Sequence, residues 1–182
     1  MGKYQSFDPK AEVIGQSMLG FLQCLRREEV APYLTKHGLT DIRPDQWYPV
    51  QKWLDVLSDL SEQKAGGAMF DFVAIGMKVS ELSEFPPEIK TMPFAEVAIS
   101  GGRQAYQMAH RGGDIGEITG EIVSAKHIKV CYKTPYPDDF WYGGLYAFAR
   151  RVLSGHFTVY YDEETPRREH GGEYTIIHVT WE

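Results

Sequence analysis

The stretch Val130 to Val152 constrains this chain most, because a strand, a proline corner and an aromatic-rich helix follow one another in it directly. Ile128, Val130 and Tyr132 alternate with His127, Lys129, Cys131 and Lys133, the period of two that marks a half-buried strand. The strand has to stop at Pro135, which cannot donate to a ladder and biases its predecessor toward extended geometry, so Thr134-Pro135-Tyr136-Pro137 reads as a stiff corner. Asp138 reads as an N-cap, and Asp139 adds a carboxylate where a helix dipole favours one. Phe140, Gly144, Phe148 and Val152 recur at spacing four with Trp141 and Leu145 beside them, which predicts a helix over 139–153 with a broad apolar face.

Around that unit the chain divides into a helical first part and a strand-rich second part. Val13, Ile14, Ser17, Met18, Phe21, Leu22 and Leu25 keep helical spacing and predict a helix over 11–27, and a second is expected over 28–37, restarted near Pro32 and closed by Gly38. Asp45 reads as the cap of a further helix, with Pro49 in its first turn and Trp47, Val50, Trp53, Leu54, Leu57 and Leu60 on one face. Ala65-Gly66-Gly67 ends it. Met69 to Val79 predicts a helix apolar over much of its circumference, which Phe85-Pro86-Pro87 breaks, and a last one is expected over 94–110. Two alternating runs joined near Ser124-Ala125 predict an antiparallel pair; Phe157 to Tyr161 and Tyr174 to Trp181 add two more strands beyond the corner helix. The fold class read from this order is α+β: an N-terminal helical lobe, then a four-stranded antiparallel sheet with one helix inserted between its strand pairs. A single domain over 1–182 is expected, 1–113 mainly helical and 114–182 sheet plus one helix.

With 182 residues, 43% of them hydrophobic, the chain is long enough for a real core. Its net charge of -6 and scattered basic residues argue against a nucleic-acid footprint. No run approaches the length of a membrane span or a signal peptide core, and two cysteines without ligand spacing fit reduced thiols, so a cytoplasmic protein is expected. None of the six histidines stands in a zinc spacing, and none of the glycine pairs follows a strand into a helix as a dinucleotide site requires, so no metal and no catalytic set is indicated.

The order of elements resembles the superfamily shared by haem-nitric-oxide-binding domains, vinyl-reductase-like small-molecule-binding domains and the TRAPP subunits of Golgi transport. Haem-nitric-oxide-binding domains carry a Tyr-x-Ser-x-Arg signature that fixes the haem propionates, and the comparable residues are Tyr132, Thr134 and Tyr136. A phenol in the cationic place cannot supply the charge-assisted donors a propionate takes, so the expectation is that no cofactor, haem included, is held. The chain is also similar to bacterial relatives of the vinyl-reductase-like group, in Thr134-Pro135-Tyr136-Pro137-Asp138-Asp139-Phe140, in Gly171 to Trp181 and in Tyr106 to Gly113; Asp138 and Thr175 stand where that group has cysteines.

The resemblance and the aromatic content, 13% of the chain, together imply a non-enzymatic domain that binds a small apolar ligand, with a structural dimerisation module as the alternative. The expected ligand-binding residues are Gly101, Gly102, Tyr106, His110, Tyr132, Tyr136, Phe140 and Gly144. Consecutive glycines in mid-helix cost about 1 kcal/mol each relative to alanine, and either close packing or a ligand would account for them. His110 reads as a C-terminal cap, an axial ligand or a pH-sensitive group. A homodimer is expected because the helix over 69–82 is apolar on more than one side.

Overall fold

The computed structural model describes residues 2–62, 71–84 and 92–182; the expected helix end at Ala65-Gly66-Gly67, the start at Met69 and the break at Phe85-Pro86-Pro87 lie outside them. The chain forms an α+β fold whose residues group into two compact units, Met1–Asp71 with Gln107–Gly116, and Phe72–Tyr106 with Glu117–Glu182.

The first unit departs from the sequence reading. Residues 12–14 are a strand, β1 (Glu12–Ile14), and only then does helix α1 (Gly15–Leu22) begin. The local signal is period two, since Ala11 and Val13 are buried while Glu12 and Ile14 are partly exposed. Four residues of alternation fit a helical stripe equally well, and what decides is pairing far along the chain. β1 lies antiparallel between β2 (Trp47–Pro49) and β3 (His110–Arg111), with Val13 opposite both Tyr48 and His110. Gly15 is needed at the strand-to-helix bend, where a Cβ would lie 2.0 Å from the carbonyl oxygen of Arg43. Helix α2 (Arg27–Lys36) keeps Pro32 inside it, and Gly38, at φ +69°, follows its end. Trp47 to Pro49 belong to β2, so Asp45 caps nothing; α3 (Val50–Glu62) starts after Pro49 and buries Val50, Trp53, Leu54, Leu57 and Leu60 as its periodicity predicts. Phe21 of α1 meets Trp53 edge-on at 5.3 Å.

The second unit follows its sequence closely. β4 (Glu117–Ser124), β5 (His127–Lys133), β6 (Phe157–Tyr161) and β7 (Thr175–Trp181) form an antiparallel sheet in the order β4-β5-β7-β6. Ile118, Ile128, Val130, Tyr132, Val159, Ile177 and Val179 are its buried face. Helix α7 (Asp138–Val152) follows β5 through the proline corner and crosses helix α4 (Phe72–Leu82) so closely that a Cβ on Gly143 would meet the carbonyl oxygen of Val73 at 2.0 Å, and one on Gly76 that of Phe140 at 2.1 Å. The expected helix 94–110 is a composite: α5 (Phe94–Glu96), a π-helical turn (Val97–Gly101) and α6 (Gly102–Ala109), after which His110 opens β3 instead of capping a helix.

The π-helical turn seats Ile99 on β4. A Cβ on Gly120 would lie 2.9 Å from Ile99 Cγ1 and 2.7 Å from the carbonyl oxygen of Lys129. We expect Gly120→Ala to lose about 1–3 kcal/mol by overpacking. Urea unfolding reads this, and a midpoint equal to the parent's would mean that the turn does not bear on the strand.

Candidate functional site

The corner after β5 gathers the aromatic residues. Tyr132 is the last inward residue of the strand, Thr134 is buried, and Pro137, at φ -54° and ψ 132°, is the N-cap residue of α7. Asp138, expected in that place, is instead the first helical residue, and its carboxylate turns away from its own helix. It accepts from the Thr175 hydroxyl at 2.5 Å and from the Glu169 N–H at 3.2 Å, while the Asp138 N–H donates to Glu169 Oε1 at 2.7 Å. Glu169 lies in a 3-10 turn (Arg168–His170), so the helix's first N–H and the turn's second are each capped by the other's acid, while the Arg168 N–H donates to Thr175 Oγ1 at 2.9 Å. Burial pushes the Asp138 carboxyl up, against those two hydrogen bonds, which pull it down. Asp139 completes the attachment by accepting from the Tyr161 hydroxyl and from Arg167. Asp138 and Thr175, the two places with cysteines in the bacterial group resembled, are thus in direct contact.

Trp141, one turn into α7, is the ring on which this corner converges. Tyr132 stacks on it at 5.1 Å, and Phe140, Tyr106 and Tyr136 meet it edge-on at 5.4, 5.8 and 6.4 Å. Tyr106 also meets Tyr136 edge-on at 6.3 Å. The indole N–H donates to Thr134 Oγ1 at 2.7 Å, the partner that a buried indole requires. Burial raises the Tyr132 and Tyr136 phenols far above their ordinary range, so both are neutral at any physiological pH.

Of the expected residues, Tyr106, Tyr132, Tyr136 and Phe140 therefore come together, around Trp141. The glycines do not join them. Gly144 lies 3.8 Å from the carbonyl oxygen of Gly76, on the α4 side of its helix; among the described residues a Cβ on Gly101 would meet only Val97 of its own turn, and one on Gly102 would meet nothing within 4 Å. His110 belongs to the first unit, where it is buried on β3 opposite Val13. Thr134 and Trp141, not among the expected residues, stand at the centre of this cluster; the usable signal is a tryptophan next to an apolar stripe, which must find an acceptor for its N–H, and a threonine at the preceding strand end. In the first unit a polar cavity of about 340 Å³ is lined among others by Lys36, His37, Asp55 and Asp59, and there Lys36 and His37 both already bond Asp59.

No protein-family description matches the chain, and no curated protein does. Solved structures do. An oxygen-binding H-NOX domain related to soluble guanylate cyclases is similar at TM-score 0.63 and 13% identity, over 92% of this chain and 92% of that one. The H-NOX of Shewanella woodyi, bound to IWP-051 in its Fe(II)CO state, is similar at 0.60 and 20%, over 92% and 94%. A structure solved to probe heme distortion in the H-NOX family gives 0.61 and 13%, over 92% of each chain. At such identities the likeness shows the fold, which is H-NOX-like. It also corrects the expectation that no cofactor is held: that expectation rested on Tyr136 alone, and the proteins sharing the whole fold are haem domains.

Among the described residues no helix is long and apolar enough to cross a membrane.

Proposed function

We propose that this chain is a ligand-binding sensor domain of the H-NOX type, with haem as the group it holds. The reading is supported by a fold shared over nine-tenths of both chains. One local observation carries it further: the corner already holds a flat bicyclic ring, the indole of Trp141, between aromatic side chains and with a buried hydroxyl at its polar edge.

Tyr132, Tyr136, Tyr106 and Phe140 offer flat faces of the kind a planar ring system takes, by dispersion and quadrupole contacts that are indifferent to what the ring is; they pack on Trp141, which a bound ring would have to displace. At an anionic edge they offer the hydroxyls of Tyr132 and Thr134. The positive charge that Tyr136 lacks has a substitute in Arg168, half-buried and in Coulombic reach of Tyr106 and Asp138. Haem, when bound, supplies an iron centre for a diatomic ligand, as the oxygen-binding and Fe(II)CO structures describe for the similar proteins. The chain's own contribution is to exclude water from the ring and to keep the phenols protonated around it.

Titration of the full chain with haemin tests the reading. The expected result is a saturating one-to-one Soret band. A chain that leaves haemin in its free spectrum at equimolar concentration sinks the proposal.

A further inference from the structure

The outward face of the second unit's sheet carries a hydrogen-bonded chain that the ligand reading does not use. His127 on β5 and His178 on β7 are diagonal neighbours, since Lys129 is the register partner of His178 and Thr180 that of His127. His127 Nε2 and His178 Nδ1 are 2.8 Å apart, and His178 Nε2 is 3.0 Å from Asp162 Oδ2. The side chains of His178 and Asp162 are 12% and 19% exposed, and the Tyr160 ring stacks on His178 at 5.0 Å and 8°.

We propose that His127 and His178 are a two-imidazole chelate for a divalent late transition ion, copper(II) or nickel(II), with Asp162 as the residue that orients His178. Two imidazole nitrogens that meet at 2.8 Å through one proton can turn together onto one ion about 2.0–2.1 Å from each, and imidazole ligands hold copper(II) and nickel(II) more tightly than the earlier divalent ions. Orientation supports the same reading. The Asp162 carboxylate takes the Nε2 proton of His178, so the Nδ1 lone pair faces the chelate position, as a carboxylate behind a metal-bound histidine commonly arranges. That bond from His178 holds Asp162 below the usual carboxylate range. His127 then carries its proton on Nε2, toward His178. Moving it to Nδ1 frees the second lone pair with no net change of protonation.

The surrounding charges allow a cation. Lys129 of β5 faces the pair, but Glu121 of β4 holds its ammonium at 2.7 Å. Cys131 of β5 is raised by burial and stays a thiol, Tyr160 of β6 supplies a ring face, and Asp162 brings the negative charge. Among the described residues no third side chain completes a three-ligand group, so water fills the remaining positions.

Titration of haemin-free protein with copper(II) chloride, and separately with nickel(II) chloride, followed by calorimetry and by the copper(II) electron-spin spectrum, tests this independently of the haem reading. The expected result is one equivalent bound with the splitting of two nitrogens, lost in His127→Ala and in His178→Ala. Asp162→Asn should bind about 10- to 100-fold more weakly, as removal of an orienting partner does. Thermal melts of each variant check folding, and if His178→Ala does not fold, His127→Ala and Asp162→Asn decide. Parent-like binding by His127→Ala, a one-nitrogen spectrum, an unaltered affinity in Asp162→Asn, or no binding at tenfold excess would each overturn the site.

Discussion

Gly143→Ala is expected to cost at least about 3 kcal/mol, the upper end of what overpacking usually does. The added methyl carbon would sit 2.0 Å from the carbonyl oxygen of Val73, and at the reciprocal point Gly76 faces the carbonyl oxygen of Phe140 at 2.1 Å. Two helices thus meet backbone to backbone, and no rotamer change can relieve the clash, because neither partner is a side chain. The helices must part, which opens the contact of α4 and α7 along its length and forfeits dispersion in a region packed at interior density. Gly143→Leu is expected to yield no folded protein. Gly102→Ala is the counterpart: among the described residues its Cβ meets nothing within 4 Å in a helix, so it should gain up to about 1 kcal/mol in propensity. Urea unfolding of the three variants settles the matter, and a parent-like midpoint for Gly143→Ala would mean that the crossing is looser than 2 Å contacts allow.

Asp138→Ala should lose about 3 kcal/mol. The substitution strips the Thr175 hydroxyl and the Glu169 N–H of their common acceptor, and hydrogen bonds to a charged group are worth about 1.5–3 kcal/mol each when their loss leaves buried donors. Asp138→Asn keeps its amide oxygen on the Glu169 N–H and can turn its NH2 to the Thr175 hydroxyl, which accepts, but gives up the charge, so about half that loss is expected. The pH dependence has a definite sign. Burial raises the Asp138 pKa in the folded state above the unfolded value of 3.8, so the folded form binds this proton more tightly. Its contribution is fully present below the unfolded value and declines as pH rises through the raised one. The parent's advantage over Asp138→Ala should therefore be larger at about pH 4 than at about pH 7. Denaturant melts at the two values read the difference; an advantage that grows toward neutral pH would show that the hydrogen bonds outweigh burial and the shift runs the other way.

How much of this was legible in the sequence follows from where the deciding contacts lie. The four strands of the second unit and the corner into α7 are specified by local alternation and by prolines, and both survive folding unchanged because the buried face of that sheet is the one the alternation marks. β1, β2 and β3 are three residues or fewer, and their register joins positions as far apart as Glu12, Pro49 and Arg111. No window of the chain contains that information, and a helix is the better local guess. The candidate site divides in the same way. Tyr132, Tyr136 and Phe140 are neighbours in sequence and their clustering is legible there, whereas the position of Trp141 depends on a hydroxyl seven residues earlier and on Tyr106 arriving from another helix. His127 and His178 looked like two separate strand histidines, since only the pairing of Lys129 with His178 places them side by side.

The π-helical turn over Val97–Gly101 also governs where Tyr106 points. Such a turn takes up one residue more than an α-helical turn does. With the same start at Phe94, an uninterrupted α-helix would carry Tyr106 about 100° further round the axis, away from its edge contact with Trp141. One inserted residue thus acts as an angular adjustment of the whole downstream helix, setting the azimuth of a distant side chain while both ends of the segment stay where the fold needs them. In a chain that keeps an H-NOX-like frame at identities of 13% to 20%, an extra residue inside a helix re-aims an aromatic cluster in a way that substitution alone does not offer.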